Sequence, residues 1–216
     1  MNALFRDRAD AGRQLAAALL ARHAVPPQIV LALPRGGVPV AYEVARALHA
    51  PLDVFIVRKL GAPQNKEYAM GAIASGGVTI VDEEAIEAMG VSKAALEAVV
   101  EAEQAELLRR EKTYREGRPQ PGIKGCSVVI VDDGLATGAT MRAAIAGIKK
   151  HQPTTIVVAT PVAAAETLET IKAEVDDVVC LATPSPFRAV GLWYASFEQT
   201  SDRQVGELLA MARAQQ

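Results

Sequence analysis

Short apolar runs alternate along the 216-residue chain with longer stretches whose apolar positions recur every three or four residues. The first pattern predicts strands and the second predicts helices, so the alternation points to an α/β domain. Residues 4–22 have an alanine-rich helical pattern that stops before Pro26 and Pro27. Strands are expected at 28–33 and 53–59, with a helix at 37–48 between them and a polar loop carrying Gly61 and Pro63 at 60–68. Residues 70–74 and 78–81, separated by Ser75, Gly76 and Gly77, read as a hairpin.

Ser92 can cap a long helix reaching toward Glu116, with Glu106 and Arg110 spaced to pair across one turn. Leu96, Val100 and Leu107 supply its apolar stripe, which serves either packing within the chain or contact with a second copy in a homodimer. Residues 117–125 read as a connector, not a domain linker. A strand from Val128, a helix at 139–150, a strand at 155–160, a helix at 163–173 and a strand at 177–181 continue the alternation. The economical architecture is one domain over residues 1–216, a doubly wound, mainly parallel sheet flanked by helices and interrupted by the hairpin.

Composition narrows the function classes. A net charge of -2 argues against a surface that coats nucleic acid, and half of the residues are hydrophobic, enough for a sizeable core. No apolar run reaches membrane-spanning length, and Arg6, Asp7, Arg8 and Asp10 break any signal-peptide pattern, so a cytoplasmic protein without a membrane partner is expected. Cys126 and Cys180 read as isolated buried thiols, while His23, His49 and His151 have no metal-ligand spacing and read as surface or helix-end residues.

The chemistry concentrates in residues 128–140, Val-Val-Ile-Val-Asp-Asp-Gly-Leu-Ala-Thr-Gly-Ala-Thr. The β-branched run suits a buried parallel strand, and its carboxyl edge is where open α/β sheets bind ligands. Asp132 and Asp133 stand at that edge as acceptors that match the vicinal hydroxyls of a ribose. Gly138 permits close backbone approach, and the following helix offers unpaired amides to an anion. At these residues the sequence resembles the type I phosphoribosyltransferases, in a branch whose substrate is uncharacterised. The resemblance implies that Asp132 and Asp133 bind the ribose of phosphoribosyl pyrophosphate (PRPP), and that Ala136, Thr137, Gly138, Ala139 and Thr140 bind its 5-phosphate.

Three further segments extend the resemblance. Leu-Ala-Leu-Pro-Arg-Gly-Gly-Val at 31–38 is similar to the family's pyrophosphate loop, which assigns Arg35, Gly36 and Gly37 to pyrophosphate and implies a cis peptide between Pro34 and Arg35. Residues 57–73 stand in the place of the flexible catalytic loop, where Arg58, Lys59 and Lys66 would supply positive charge and Glu67 an acid or base. Residues 183–197 stand in the place of the small carboxyl-terminal hood over the base, a region expected to extend to about 205. In a chain with only 4% aromatic residues this stretch gathers Phe187, Trp193, Tyr194 and Phe197. Phe187 is the leading candidate to stack on a base and Trp193 the next, with Arg188 at a polar base edge.

The implied reaction is displacement of pyrophosphate from PRPP by a nitrogen of a small base, with Mg2+ carried mainly by PRPP and no metal site on the protein. The implied role lies in nucleotide and nucleoside metabolism. The signature departs from the 6-oxopurine members, which place an aspartate just before the Thr-Gly pair where this chain has Ala136. A PRPP- or nucleotide-sensing regulator, including one that binds RNA, is the alternative. The turns lack the P-loop ending and the dinucleotide fingerprint, which argues against those two classes.

Overall fold

Five strands pair in parallel in the computed structural model, which describes residues 3–22 and 27–215 apart from the side chains of Lys66 and Glu67. His23 and Pro26 also lie outside the described residues. The strands are β1 (Ile29–Ala32), β2 (Leu52–Val54), β6 (Ser127–Val131), β7 (Thr155–Val162) and β8 (Asp177–Ala182), ordered β2-β1-β6-β7-β8. Their residues are apolar without alternation because both faces are covered. Val30, Ala32, Val129, Val131 and Val157 pack into one layer with α1 (Arg8–Arg22), α2 (Gly37–Leu48) and α7 (Asp202–Ala214). Ile29, Leu31, Val128, Ile130, Ile156 and Val158 pack into the other with α5 (Ala139–Lys150) and α6 (Ala165–Lys172). This is the doubly wound α/β architecture expected from the sequence. Each valine, leucine or isoleucine side chain so buried contributes roughly 1.5–3 kcal/mol.

The chain leaves β1 to one side for β2 and returns on the other side as β6, which makes the gap between the ends of β1 and β6 a topological switch point. Both predicted ligand loops therefore open onto one crevice.

The region after β2 differs from the expectation. The strand expected at 53–59 is two strands: β2 ends at Val54 and β3 (Val57–Ala62) belongs to a separate antiparallel sheet with β4 (Asn65–Ala74) and β5 (Val78–Val81). Phe55 and Ile56 carry the chain between sheets. The Phe55 N–H donates to the Ala32 carbonyl, and the Ile56 N–H donates to the buried Ser75 hydroxyl at 2.9 Å. The polar loop expected at 60–68 is instead the end of a hairpin, with Ala62 opposite Asn65 and Pro63 and Gln64 as the turn. Leu60, Ala62 and Met70 are buried beneath it, so a period-two pattern was present under the glycines. The second hairpin, from 70–74 to 78–81, forms as expected.

After α3 (Glu83–Ala88), which the sequence reading did not anticipate, α4 (Lys93–Arg115) follows its expected course. The Ser92 hydroxyl accepts from the Ala95 N–H, and Arg110 donates to Glu106 at 2.8 Å. The Leu96, Val100 and Leu107 stripe is used within the chain: Leu96 packs on Ala62, Met70 and Val91, while Leu107 joins the main core with Val100 against it. The first helix begins at Arg8, not Leu4, because residues 4–6 pair with the tail. The expected hood region also overlaps α7, whose Val205 lies in the main core. No helix among the described residues is long and apolar enough to cross a membrane.

Candidate active site

At the end of β6 the chain turns through Asp132 and Asp133 directly against the loop that follows β1. A methyl group added at Gly36 would lie 2.0 Å from Asp133 Oδ2, and one at Gly37 would lie 2.8 Å from the Val131 carbonyl oxygen. Glycine at 36 and 37 is thus required by contact, since any side chain would displace the acidic pair. The Pro34–Arg35 peptide is cis, as expected.

The loop after the acidic pair is pinned at its base. The Leu135 N–H donates to the Val162 carbonyl, the Ala164 N–H to the Leu135 carbonyl, and the Thr167 hydroxyl to the Ala136 carbonyl. Gly138 sits at φ 70°, a left-handed conformation, and a Cβ there would meet Thr167 Cγ2 at 2.5 Å. From this glycine α5 begins with no side chain capping its first turn. A cavity of about 170 Å³ is lined by Asp132, the loop from Gly134 through Met141, and Val190 of the tail. Backbone amides at a helix start and the hydroxyls of Thr137 and Thr140 suit it to an anion, and the Asp132 carboxylate also lies in its lining.

The two carboxylates have different surroundings. Burial pushes Asp132 well above the usual carboxylate range, and the charge of Asp133 pushes it in the same direction. Its Oδ1 accepts from the Asp133 N–H at 2.9 Å. Burial also raises Asp133, opposed by Arg8, whose Nε donates to Asp133 Oδ2 at 2.8 Å. The Tyr194 hydroxyl donates to the Asp133 carbonyl at 2.5 Å. The sequence places Tyr194 only among the hood aromatics and gives Arg8 no role at the site. They come from opposite ends of the chain, and no local pattern announces that they meet at the acidic pair.

The other expected residues divide. Arg35 is partly exposed beside the crevice, and its nearest carboxylate is Asp202 at 3.8 Å. Asp202 also accepts from the Tyr114 hydroxyl at 2.6 Å. Arg58 is not directed to the acidic pair in this conformation; its Nε donates to Glu103 of α4 at 2.6 Å. Lys59 is exposed along the groove between β3 and α4. The side chains of Lys66 and Glu67 lie outside the described residues.

In the tail, Trp193 is 6% exposed within a cluster of Phe5, Ala11, Val162 and Tyr194. Its place is the aromatic core that fastens the tail, which corrects the expectation of Trp193 as a stacking surface. Phe187 lies half-buried on this cluster with its ring centroid 6.3 Å from that of Trp193, and Arg188 is exposed. Cys126 and Cys180 are free and half-buried; His49 and His151 cap the ends of α2 and α5. Among the described residues, no three His, Cys, Asp or Glu side chains are grouped to hold a metal ion.

Comparison with known proteins agrees with this geometry. Residues 5–195 match the model of the phosphoribosyl transferase domain. Proteins of Mycobacterium tuberculosis strains H37Rv and CDC 1551 / Oshkosh, each with a provisional phosphoribosyl transferase name, are 46% identical over 211 residues. The match covers 97% of this chain and 47% of theirs, so the chain spans about half the length of the curated relatives it matches. The crystal structure of TT1426 from Thermus thermophilus superposes with a TM-score of 0.83 at 43% identity, covering 96% of this chain and 98% of that one. A hypoxanthine-guanine phosphoribosyltransferase from Bacillus anthracis shares the fold alone, with a TM-score of 0.50 and 11% identity over 86% of this chain and 85% of that one.

Proposed function

The chain belongs to the phosphoribosyl transferase family, and on that premise we propose that it transfers the phosphoribosyl group of PRPP to a small nitrogenous base, releasing pyrophosphate. The observation that carries this reading is the cavity in which Asp132, the uncapped start of α5 and the hydroxyls of Thr137 and Thr140 meet at the switch point. The loop Ala136, Thr137, Gly138, Ala139 and Thr140 would hold the 5-phosphate through backbone amides and hydroxyls. Asp132 and Asp133 would orient the ribose and offset positive charge as the anomeric carbon loses its leaving group.

Pyrophosphate would lie on the Gly36 and Gly37 backbone, gripped by Arg35 once that side chain turns from Asp202. Magnesium enters with PRPP as part of the substrate and neutralises the departing pyrophosphate. The arm carrying Arg58, Lys59 and Lys66 would close over the centre, which excludes water and concentrates positive charge on the leaving group. Glu67 on the same arm is assigned the proton of the attacking nitrogen, because Ala136 cannot take it. The base would enter beneath the tail and lie against Phe187, with Arg188 at its edge.

The deciding experiment incubates the protein with PRPP, Mg2+ and a panel of purine, pyrimidine and smaller nitrogen bases, and measures pyrophosphate and nucleotide formation. Turnover with one class of base is the expected result. Saturable PRPP binding with no turnover on any base would replace the enzyme with a PRPP sensor. That second reading is favoured by one feature, the pairing of Arg58 with Glu103 in place of the site.

A further inference from the structure

The segment before α1 is bonded to the tail as a short β-like pair. Phe5 N–H donates to the Trp193 carbonyl at 3.0 Å, Ala195 N–H to the Phe5 carbonyl at 2.8 Å, and Ser196 N–H to the Arg6 carbonyl at 2.8 Å. Arg8 follows as the first residue of the helix and its guanidinium makes three contacts. It donates to Asp133 Oδ2 at 2.8 Å, donates to the Glu198 carbonyl at 2.7 Å, and stands 3.8 Å over the Phe197 ring. Tyr194 reaches the same aspartate from the tail through its main-chain carbonyl. We propose that Arg8 is a positioning residue for the ribose site, acting through Asp133 by fixing the orientation of that carboxylate and tying it to the tail that covers the base.

The inference rests on the proposed PRPP site, and its geometry explains an asymmetry there. Asp132 lines the phosphate cavity; Asp133 is held from behind, between the Gly36 backbone and Arg8. Two adjacent carboxylates removed from water repel each other, and a cation bonded to one of them relieves that repulsion. Arg8 is suited to this by its fork of donors, which serves the carboxylate and the tail carbonyl at once, while its flat face covers Phe197. A lysine could supply the charge but not all three contacts. Arg8 and Tyr194 thus link the tail directly to the acidic pair.

The test is a double-mutant cycle on PRPP affinity. Mg2+-PRPP is titrated calorimetrically into the unsubstituted protein, Arg8→Gln, Asp133→Asn and the double variant, with unfolding curves to confirm each fold. Arg8→Gln is expected to weaken PRPP binding about tenfold. In the D133N background the same substitution should have no further effect. Where Arg8→Gln fails to fold, Arg8→Lys takes its place in the cycle, with a loss of at least about threefold that again vanishes in the D133N background.

The pH profile supplies a readout that packing alone would not move. Asp133 is faced by Arg8, Asp132 and Tyr194, and burial holds the Tyr194 phenol up in its neutral form. Loss of the Arg8 charge should therefore shift the acid limb of PRPP binding to higher pH. Equal affinity with and without Arg8, independent losses in the cycle, or an unmoved acid limb would each overturn the inference while leaving the proposed function standing. Failure of the unsubstituted protein to bind PRPP would remove both.

Discussion

Arg115, buried at the last turn of α4, donates through Nε to Asp53 Oδ2 at 2.9 Å and through its terminal nitrogen to the Val54 carbonyl at 2.8 Å. This contact fastens the long insertion helix to the edge strand of the parallel sheet. Burial raises the Asp53 carboxyl above the usual range, with Arg115 opposing the rise, so removing the arginine leaves a buried carboxylate without its counter-charge.

Arg115→Met is expected to cost roughly 3–5 kcal/mol at neutral pH, measured by urea unfolding. Its pH dependence follows from the sign of the shift. With Asp53 raised still further in the variant, the native state binds protons that the unfolded state has released, so stability falls as pH rises above the ordinary carboxylate value. The variant should be closer to the parent at pH 4 than at pH 7. A deficit that does not change between the two would show that lost packing, not the uncompensated charge, sets the cost.

Asp132 offers a second stability test, with the same pH dependence but a substitution that should stabilise. Its carboxyl is raised well above the ordinary 3.8, so its ionised form strains the native state and its own contribution to stability declines as pH rises from about 4. Asp132→Asn removes that charge and should stabilise the fold at pH 7 by on the order of 1 kcal/mol. The same substitution should weaken PRPP binding by at least about tenfold, as expected when strain is kept at a binding site for function. Thermal unfolding and calorimetry together decide this. Destabilisation at pH 7 would mean that the carboxylate serves the fold.

The sequence disclosed most of this site because its parts are local. Residues 128–140 carry strand, carboxylates, glycine and helix start in one run, and Arg35-Gly36-Gly37 does the same after β1. What stayed hidden depends on distance or on overlapping signals. Arg8 reaches Asp133 across 125 positions, and no periodicity records such a contact. The strand break at Phe55 and Ile56 was masked because both residues are buried and apolar on either side of the crossing. Gly61 and Pro63 suggested a loop, yet they occupy a register shift and a two-residue turn inside a hairpin. The helix α7 did leave a readable mark, the Ser201 and Gln204 capping box.

Glu103 holds Arg58 against α4, and the proposed closure of the arm must break that bond. Glu103→Gln keeps the side-chain shape while removing the charge. The released arginine should raise affinity for Mg2+-PRPP about threefold, because the closed arm no longer competes with a carboxylate on α4. The pair is only partly buried, so little change in unfolding free energy is expected. Unchanged affinity would place Arg58 outside the binding event and leave it as a surface tie between β3 and α4.

Phe187 and Trp193 are neighbours with separable consequences. Trp193 is enclosed by Phe5, Ala11, Val162 and Tyr194, so Trp193→Ala should destabilise the protein by about 3–5 kcal/mol and loosen the segment before α1. Phe187 lies on the outer side of that cluster and is half-buried, which leaves it ring surface to offer a base. Stacking on an aromatic side chain is worth about 1–3 kcal/mol per base, so Phe187→Ala should raise the acceptor KM about tenfold or more while PRPP affinity holds. Unfolding curves and steady-state kinetics with the acceptor found in the base panel separate the two effects. If Phe187→Ala leaves the acceptor KM unchanged, the ring belongs with Trp193 in the structural cluster, and the base must be held by other groups at the crevice.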